Sequence, residues 1–197
     1  MHMNRETTTG DPEGEEAPAD LNAGRVDSAM MWRAGIFLAV FALLQGWYST
    51  AARGTWIERM VIDQITVKSA ASLIQFFDPS VGVQPVGSRL HAPGGGINVI
   101  NGCEGIDVMF LMVAAMLVAP IPAKARLVGM VIGILVTLAL NQVRVIGLFY
   151  AYRMDRGVFD MLHGVVAPML LIVAVAGYFL LWLSWHVPAQ SPSPTTP

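Results

Sequence analysis

One cysteine, Cys103, serves the entire chain of 197 residues. That excludes an intramolecular disulfide framework and a cysteine-rich metal site. Charge is scarce too: 13% of residues are charged, about half the roughly 25% of a soluble domain. A net charge of −2 gives no basic face for nucleic acid and no attraction to anionic lipid. No His-Glu-x-x-His helix is present, which excludes an intramembrane metalloprotease of that kind. The N-terminal segment lacks the basic start and cleavage pattern of a signal peptide, and no internal repeat is evident.

What the chain does have is hydrocarbon. Hydrophobic residues make up 54% of it, with a mean hydropathy of +0.55. They fall in long runs rather than at spaced core positions, and an apolar run of roughly 20 residues spans a bilayer as a helix. The fold class this predicts is an all-α polytopic membrane protein with about four transmembrane helices, one amphipathic helix and a Gly-rich hairpin loop. A soluble enzyme is excluded by the same count.

The first 26 residues are polar, acidic and rich in Thr, Gly, Pro and Glu. Too little apolar surface is present there to offset ordering entropy, so residues 1–29 read as a disordered tail and 187–197, rich in Ser, Pro and Thr, as another. Residues 30–186 form the membrane-embedded domain. Its first span runs from about Met30 to Thr50, with Trp32, Trp47 and Tyr48 at belt positions. Trp56 to Phe77 has helical periodicity: Ile57, Met60, Val61, Ile65, Ala70, Leu73, Ile74 and Phe77 form one side. Glu58, Arg59, Asp63, Gln64 and Lys68 form the other. This predicts an amphipathic helix on the membrane surface or covering a site. From Pro79 to Ile100, prolines and glycines interrupt short alternations at Val81/Val83 and Ile97/Val99. The reading is a hairpin of two short strands that delivers the chain to Cys103. Further spans are expected over about Gly102 to Ala119, Arg126 to Tyr152 and Leu162 to His186.

Counting crossings brings three distant residues to one membrane face. Cys103 opens the second span. Arg144 lies 18 residues beyond Arg126, or about 27 Å along a helix, and so returns to the face of Cys103. The loop from Arg153 to Asp160 stays there, and His163 begins the last descent. Thiol, guanidinium and imidazole are the parts of a cysteine acyl-transfer site. Gly102 and Gly105 flank the thiol and allow close backbone approach by a substrate. A helix N-terminus favours a thiolate, while Glu104 and Asp107 oppose it, so the thiol needs a base or cation nearby. Arg144 cannot act as a base; its role would be to hold a thiolate or an oxyanion, with Asn141 one turn earlier to orient it. His163 is then the general base and acid, and Asp160 would fix its tautomer or start the helix. His91, in the Gly-rich loop, is a second candidate base.

Each residue also has a bland reading. Cys103 would be a small buried filler, Arg144 a snorkelling interfacial arginine and His163 an ordinary interfacial histidine. Together these describe a non-catalytic membrane transporter or assembly subunit in which Arg144 and His163 bind an ion or a lipid headgroup. Lys124 and Arg126 in the short loop oppose Arg53, Arg59, Lys68, Arg89, Arg153 and Arg156 on the other face. Charge bias therefore does not orient the chain.

Cys103-Glu104-Gly105 at the start of a membrane helix, Asn141-Gln142-Val143-Arg144 late in the next and His163-Gly164 opening the last resemble the exosortase/archaeosortase family. The likeness covers about Trp32 to Trp185, and the brevity is most like the compact exosortase H subgroup. The resemblance implies a membrane cysteine transpeptidase or protease, with catalytic Cys103, Arg144 and His163 and no cofactor or metal. Its partners would be membrane lipid and the C-terminal sorting tails of exported proteins: a short PEP-CTERM-like motif, or a variant resembling IPTLxxWG, then an apolar helix and a basic cluster. It implies a bacterial inner (cytoplasmic) membrane location, residues 1–29 in the cytoplasm, and the site and amphipathic helix on the extracytoplasmic face. Larger members have about eight spans, and the missing scaffold leaves room for a homo-oligomer or helper.

Overall fold

The structure, a computed structural model, describes residues 21–99 and 103–187. Helix α1, Leu21–Trp47, continues through a wider π turn, Tyr48–Ala52. A second helical run, α2, starts at Trp56–Arg59, passes through a π stretch at Met60–Lys68 and ends with Ser69–Phe77. Three strands follow: β1 (Gln84–Val86), β2 (Arg89–His91) and β3 (Ile97–Asn98). Then come α3 (Ile106–Val118), α4 (Ala123–Met154) and α5 (Arg156–His186).

Among the described residues three helices are long and apolar enough to cross a membrane: Ser28–Ala52, Ala123–Met154 and Arg156–His186. The second of the four expected spans is shorter than its sequence suggested. Gly105 adopts a left-handed conformation (φ 76) and delays the helix to Ile106, and Ala119 ends it in extended backbone ahead of Pro120. The 13 residues of α3 cover about 20 Å at 1.5 Å per residue, less than the roughly 30 Å of a hydrocarbon core. α3 is nonetheless interior, packed between α1, α4 and α5. The start of α1 also departs from expectation. Helix replaces the tail expected over 21–29, since no proline interrupts the sequence between Pro18 and Trp47. The rest of both expected tails, except Val187, lies outside the described residues.

The lower end of the bundle is held by aromatic groups and glycines. Tyr178 donates to the carbonyl of Gly129 at 2.7 Å, and the indole of Trp182 donates to that of Ala125 at 3.2 Å. A Cβ on Gly129 would stand 2.3 Å from Trp182 Nε1, and one on Gly133 would meet Met112 Sδ at 2.6 Å. Both glycines therefore serve packing inside the bundle. Arg126 closes the turn before α4 by donating to the carbonyls of Ala119 and Ile121.

The upper end carries a cap made of α2 and the strands. The antiparallel order is β1-β2-β3, with Pro85 opposite Leu90 and Leu90 opposite Ile97. The expected two-stranded hairpin is thus three-stranded: Val81 lies in a 3₁₀ turn and Val83 outside any strand, β1 follows at Gln84–Val86, and Arg89–His91 is too short to alternate visibly. Gly96 lets the chain turn beneath β2: a Cβ there would lie 2.0 Å from the Leu90 carbonyl oxygen. Val83, Leu90, Ile97 and Val99 are buried against Ile62, Val67, Ala70 and Ile74 of α2 and Val145, Leu148 and Phe149 of α4. Full burial of each such side chain contributes about 1.5–3 kcal/mol.

The buried face of α2 differs from the one expected. Ile62, Thr66, Val67, Ala70, Ala71 and Ile74 point inward, whereas Met60, Ile65, Leu73 and Phe77 are exposed. The change centres on the π stretch, whose i→i+5 bonding widens the turn and brings Ile62, Thr66 and Val67 inward, while Ala70 and Ile74 beyond it keep the expected side. Thr66 and Ser69 hydroxyls donate to carbonyls five residues back, at Val61 and Gln64.

Candidate active site

Cys103 sits in the bend between the cap and α3, two residues before the cap residue Gly105. Its side chain is 7% exposed and shares an apolar cluster with Ile62, Leu90, Val99, Val145 and Leu148. Gly105 holds this bend through two constraints. Its φ of 76 disfavours any L side chain, and a Cβ there would stand 2.9 Å from Cγ and Oδ1 of Asn141. Gly105→Ala is accordingly expected to cost about 1–2 kcal/mol from the left-handed backbone alone. Thermal unfolding in detergent checks the loss, and thiol accessibility in membranes reports the displaced bend.

His163 arrives from the other side of the bundle. It lies at the start of a π turn, Leu162–Val166, within α5. Pro168 supplies the reason: its ring lacks an N–H and crowds the carbonyl four residues back, that of Gly164, so the helix widens there. The imidazole stacks on Phe159 with centroids 5.3 Å apart and planes 10° from parallel. Cys103 Sγ stands 3.8 Å from Nδ1 and 3.9 Å from Nε2. The near equality leaves either nitrogen able to take the thiol proton after a small ring rotation. Such contacts are commonly long before substrate binds and tighten with it.

Arg144 lies on α4, next to Val145 of the Cys103 cluster, and lines an apolar crevice with Leu148 and Leu162. Asn141, one turn earlier, is 2% exposed and packs on Gly105. Among the described residues it makes no hydrogen bond to Arg144, and its Oδ1 is buried without a partner. Glu104 is buried and accepts a hydrogen bond from the Tyr48 hydroxyl at 3.2 Å. Together with Gln45, Arg53 and Asp107 these two line a polar cavity of about 380 Å³ beside the bend. A second cavity, of about 530 Å³, opens between α2 and the strands. Glu58, Asp63 and Ser88 line it, with Ile62 and Val99 shared with the Cys103 cluster.

A family model described as transmembrane exosortase (EpsH) matches residues 21–182. The chain belongs to the transmembrane exosortase family. Members are, in general, membrane sorting transpeptidases. Searches of curated proteins and of solved structures return no match.

In this exosortase some candidates stand apart from the thiol. Asp160 is exposed and makes no hydrogen bond to His163 among the described residues. The helix-starting role considered for it belongs to Asp155, whose Oδ1 accepts from the Val158 N–H at 3.0 Å. His91 is exposed on β2. Gly102 lies outside the described residues. Sequence reasoning also missed two supports. Phe159 braces the imidazole from one turn away, a signal available in the i, i+4 spacing. Tyr48 reaches Glu104 across 56 residues, which no local pattern reveals.

Proposed function

We propose that this exosortase cleaves C-terminal sorting tails of exported proteins through a thioester on Cys103. The observation that carries the reading is the sulfur of Cys103, the chain's one cysteine, 3.8 Å from an imidazole nitrogen of His163. His163 accepts the thiol proton as sulfur attacks the scissile carbonyl. Arg144 stabilises the oxyanion of the tetrahedral intermediate. The C–N bond then breaks, His163 returns its proton to the departing amine, and the N-terminal product remains as a thioester. An acceptor amine or water displaces the sulfur, giving an amide or a carboxylic acid and restoring the thiol. No cofactor is required for these steps.

The recognition motif would lie in the cavity between α2 and the strands, which leads to the Cys103 cluster from the aqueous side. The site faces the outside of a bacterial inner membrane, with residues 1–29 in the cytoplasm and 30–186 as the membrane-embedded unit. Trp56, Phe76 and Phe77, all strongly exposed on α2, would rest in the outer leaflet.

The test is a reporter ending in a motif, an apolar helix and arginines, co-expressed with the full chain. A shortened reporter supports the proposal; an intact one in every acceptor background refutes it. Arg144→Lys keeps the charge and loses the planar fork. It is expected to slow processing by about 10²–10³-fold, the usual cost of a lost oxyanion contact, measured as the rate of precursor disappearance.

A further inference from the structure

A crevice of about 370 Å³ runs between α4 and α5 and opens to the hydrocarbon-facing side of the bundle. Its walls are almost entirely apolar, and Val143 and Leu170 on them are 69% and 63% exposed. Gly147 lines it with nothing within 4 Å of where a Cβ would stand. That contrasts with Gly129 and Gly133, which neighbouring side chains already fill. Ala167 and Ala174 line the facing wall, so both sides let another backbone approach closely.

The upper end of the crevice is the part that connects it to chemistry. Arg144, Leu148 and Leu162 line it there. Leu148 and Leu162 also pack in or against the cluster that holds Cys103, and His163 is the next residue. From Leu140 to Leu148 α4 rises about 12 Å, and from Leu162 to Ala174 α5 descends about 18 Å, at 1.5 Å per residue. The crevice is therefore long enough for two to three turns of a helix. A peptide at this depth must satisfy its own backbone bonds and so enters as a helix.

We propose that this crevice seats the apolar helix of the substrate's own tail, with the scissile bond delivered from its upper end to Cys103. This rests on the tail-cleavage reading above. Single cysteines are introduced at Gly147→Cys and Ala174→Cys in a Cys103→Ala chain, and at outward positions Val165→Cys and Ala176→Cys as controls. Oxidative cross-linking is then measured in membranes, to a reporter cysteine near the top of its helix for Gly147→Cys and Val165→Cys, and to one about three turns lower for Ala174→Cys and Ala176→Cys. Cross-linking about tenfold stronger at Gly147 and Ala174 than at the controls supports the inference. Equal yields mean that lipid fills the crevice, and overturn it even where processing depends on Cys103. Strong crevice cross-links with a reporter still cut by the Cys103→Ala chain leave the inference standing and sink the cysteine mechanism instead. As a second variant, Gly147→Leu enters open space and is tolerated by the fold. It is expected to slow processing of the helix-anchored reporter about tenfold while leaving alkylation of Cys103 by a small reagent unchanged. Unaltered processing in Gly147→Leu counts against the crevice.

Discussion

Cys103→Ala is expected to reduce tail processing by on the order of 10⁴-fold or more, the scale on which removal of a covalent nucleophile acts. The physical case is that little else changes. The substitution deletes one heavy atom from a buried cluster, a loss of about 1 kcal/mol by analogy with other small truncations, so insertion and helix packing persist. The filler reading of this cysteine predicts the opposite pattern, near-normal function with slight destabilisation. Pulse-labelled precursor should accumulate in the variant, and a hydroxylamine-sensitive adduct should form on the wild-type chain when acceptors are scarce. Cys103→Ser is the sharper comparison, because it preserves size and hydrogen bonding while its hydroxyl is far harder to deprotonate. Processing by the serine form at more than a few per cent of the normal rate would contradict a thiolate mechanism.

The pairing of Cys103 with His163 was legible because crossing a membrane is a discrete event. Each apolar run reverses the face on which the chain emerges, and two reversals return the chain to its starting side even though α3 is short. Residues 60 apart could thus be placed together without knowing any side-chain contact. The failures come where a continuous quantity decides. Part of the α2 face differs because the π stretch at Met60–Lys68 holds more residues in each turn than an α-helix does, so each residue rotates by less. Gly129 and Gly133 make their close approach to Trp182, Met112 and Tyr178 of the same bundle. A sequence shows that a helix face is small; it does not show what sits against it. The helix start assigned to Asp160 belonged to Asp155 for a similar reason, because the break after Met154 is set by an extended residue at 155, not by composition. Strand β2, three residues long, exists because Leu90 pairs on both edges, which is tertiary information.

His163→Ala is expected to slow processing by about 10²–10⁴-fold, the range for loss of a positioned acid–base group, and the form of the defect separates chemistry from architecture. The ring stacks on Phe159 and is partly exposed, so its removal opens space at the rim of the bundle rather than in a core, and folding survives. Two readouts distinguish a proton carrier from a packing group. Alkylation of Cys103 by iodoacetamide near neutral pH slows in the variant, since without the base less thiolate forms; a merely structural histidine leaves this rate unchanged or raises it by loosening the site. Added imidazole should restore part of the activity in His163→Ala but none in Cys103→Ala. His163→Gln retains a polar side chain of similar reach and cannot carry the proton, so it behaves as the alanine variant does. The two losses also do not add: with the nucleophile gone there is no thiol proton to move, and the double variant is no slower than Cys103→Ala alone. A double variant slower by the product of the two single effects would mean that Cys103 and His163 act independently, and their 3.8 Å approach would then be packing alone.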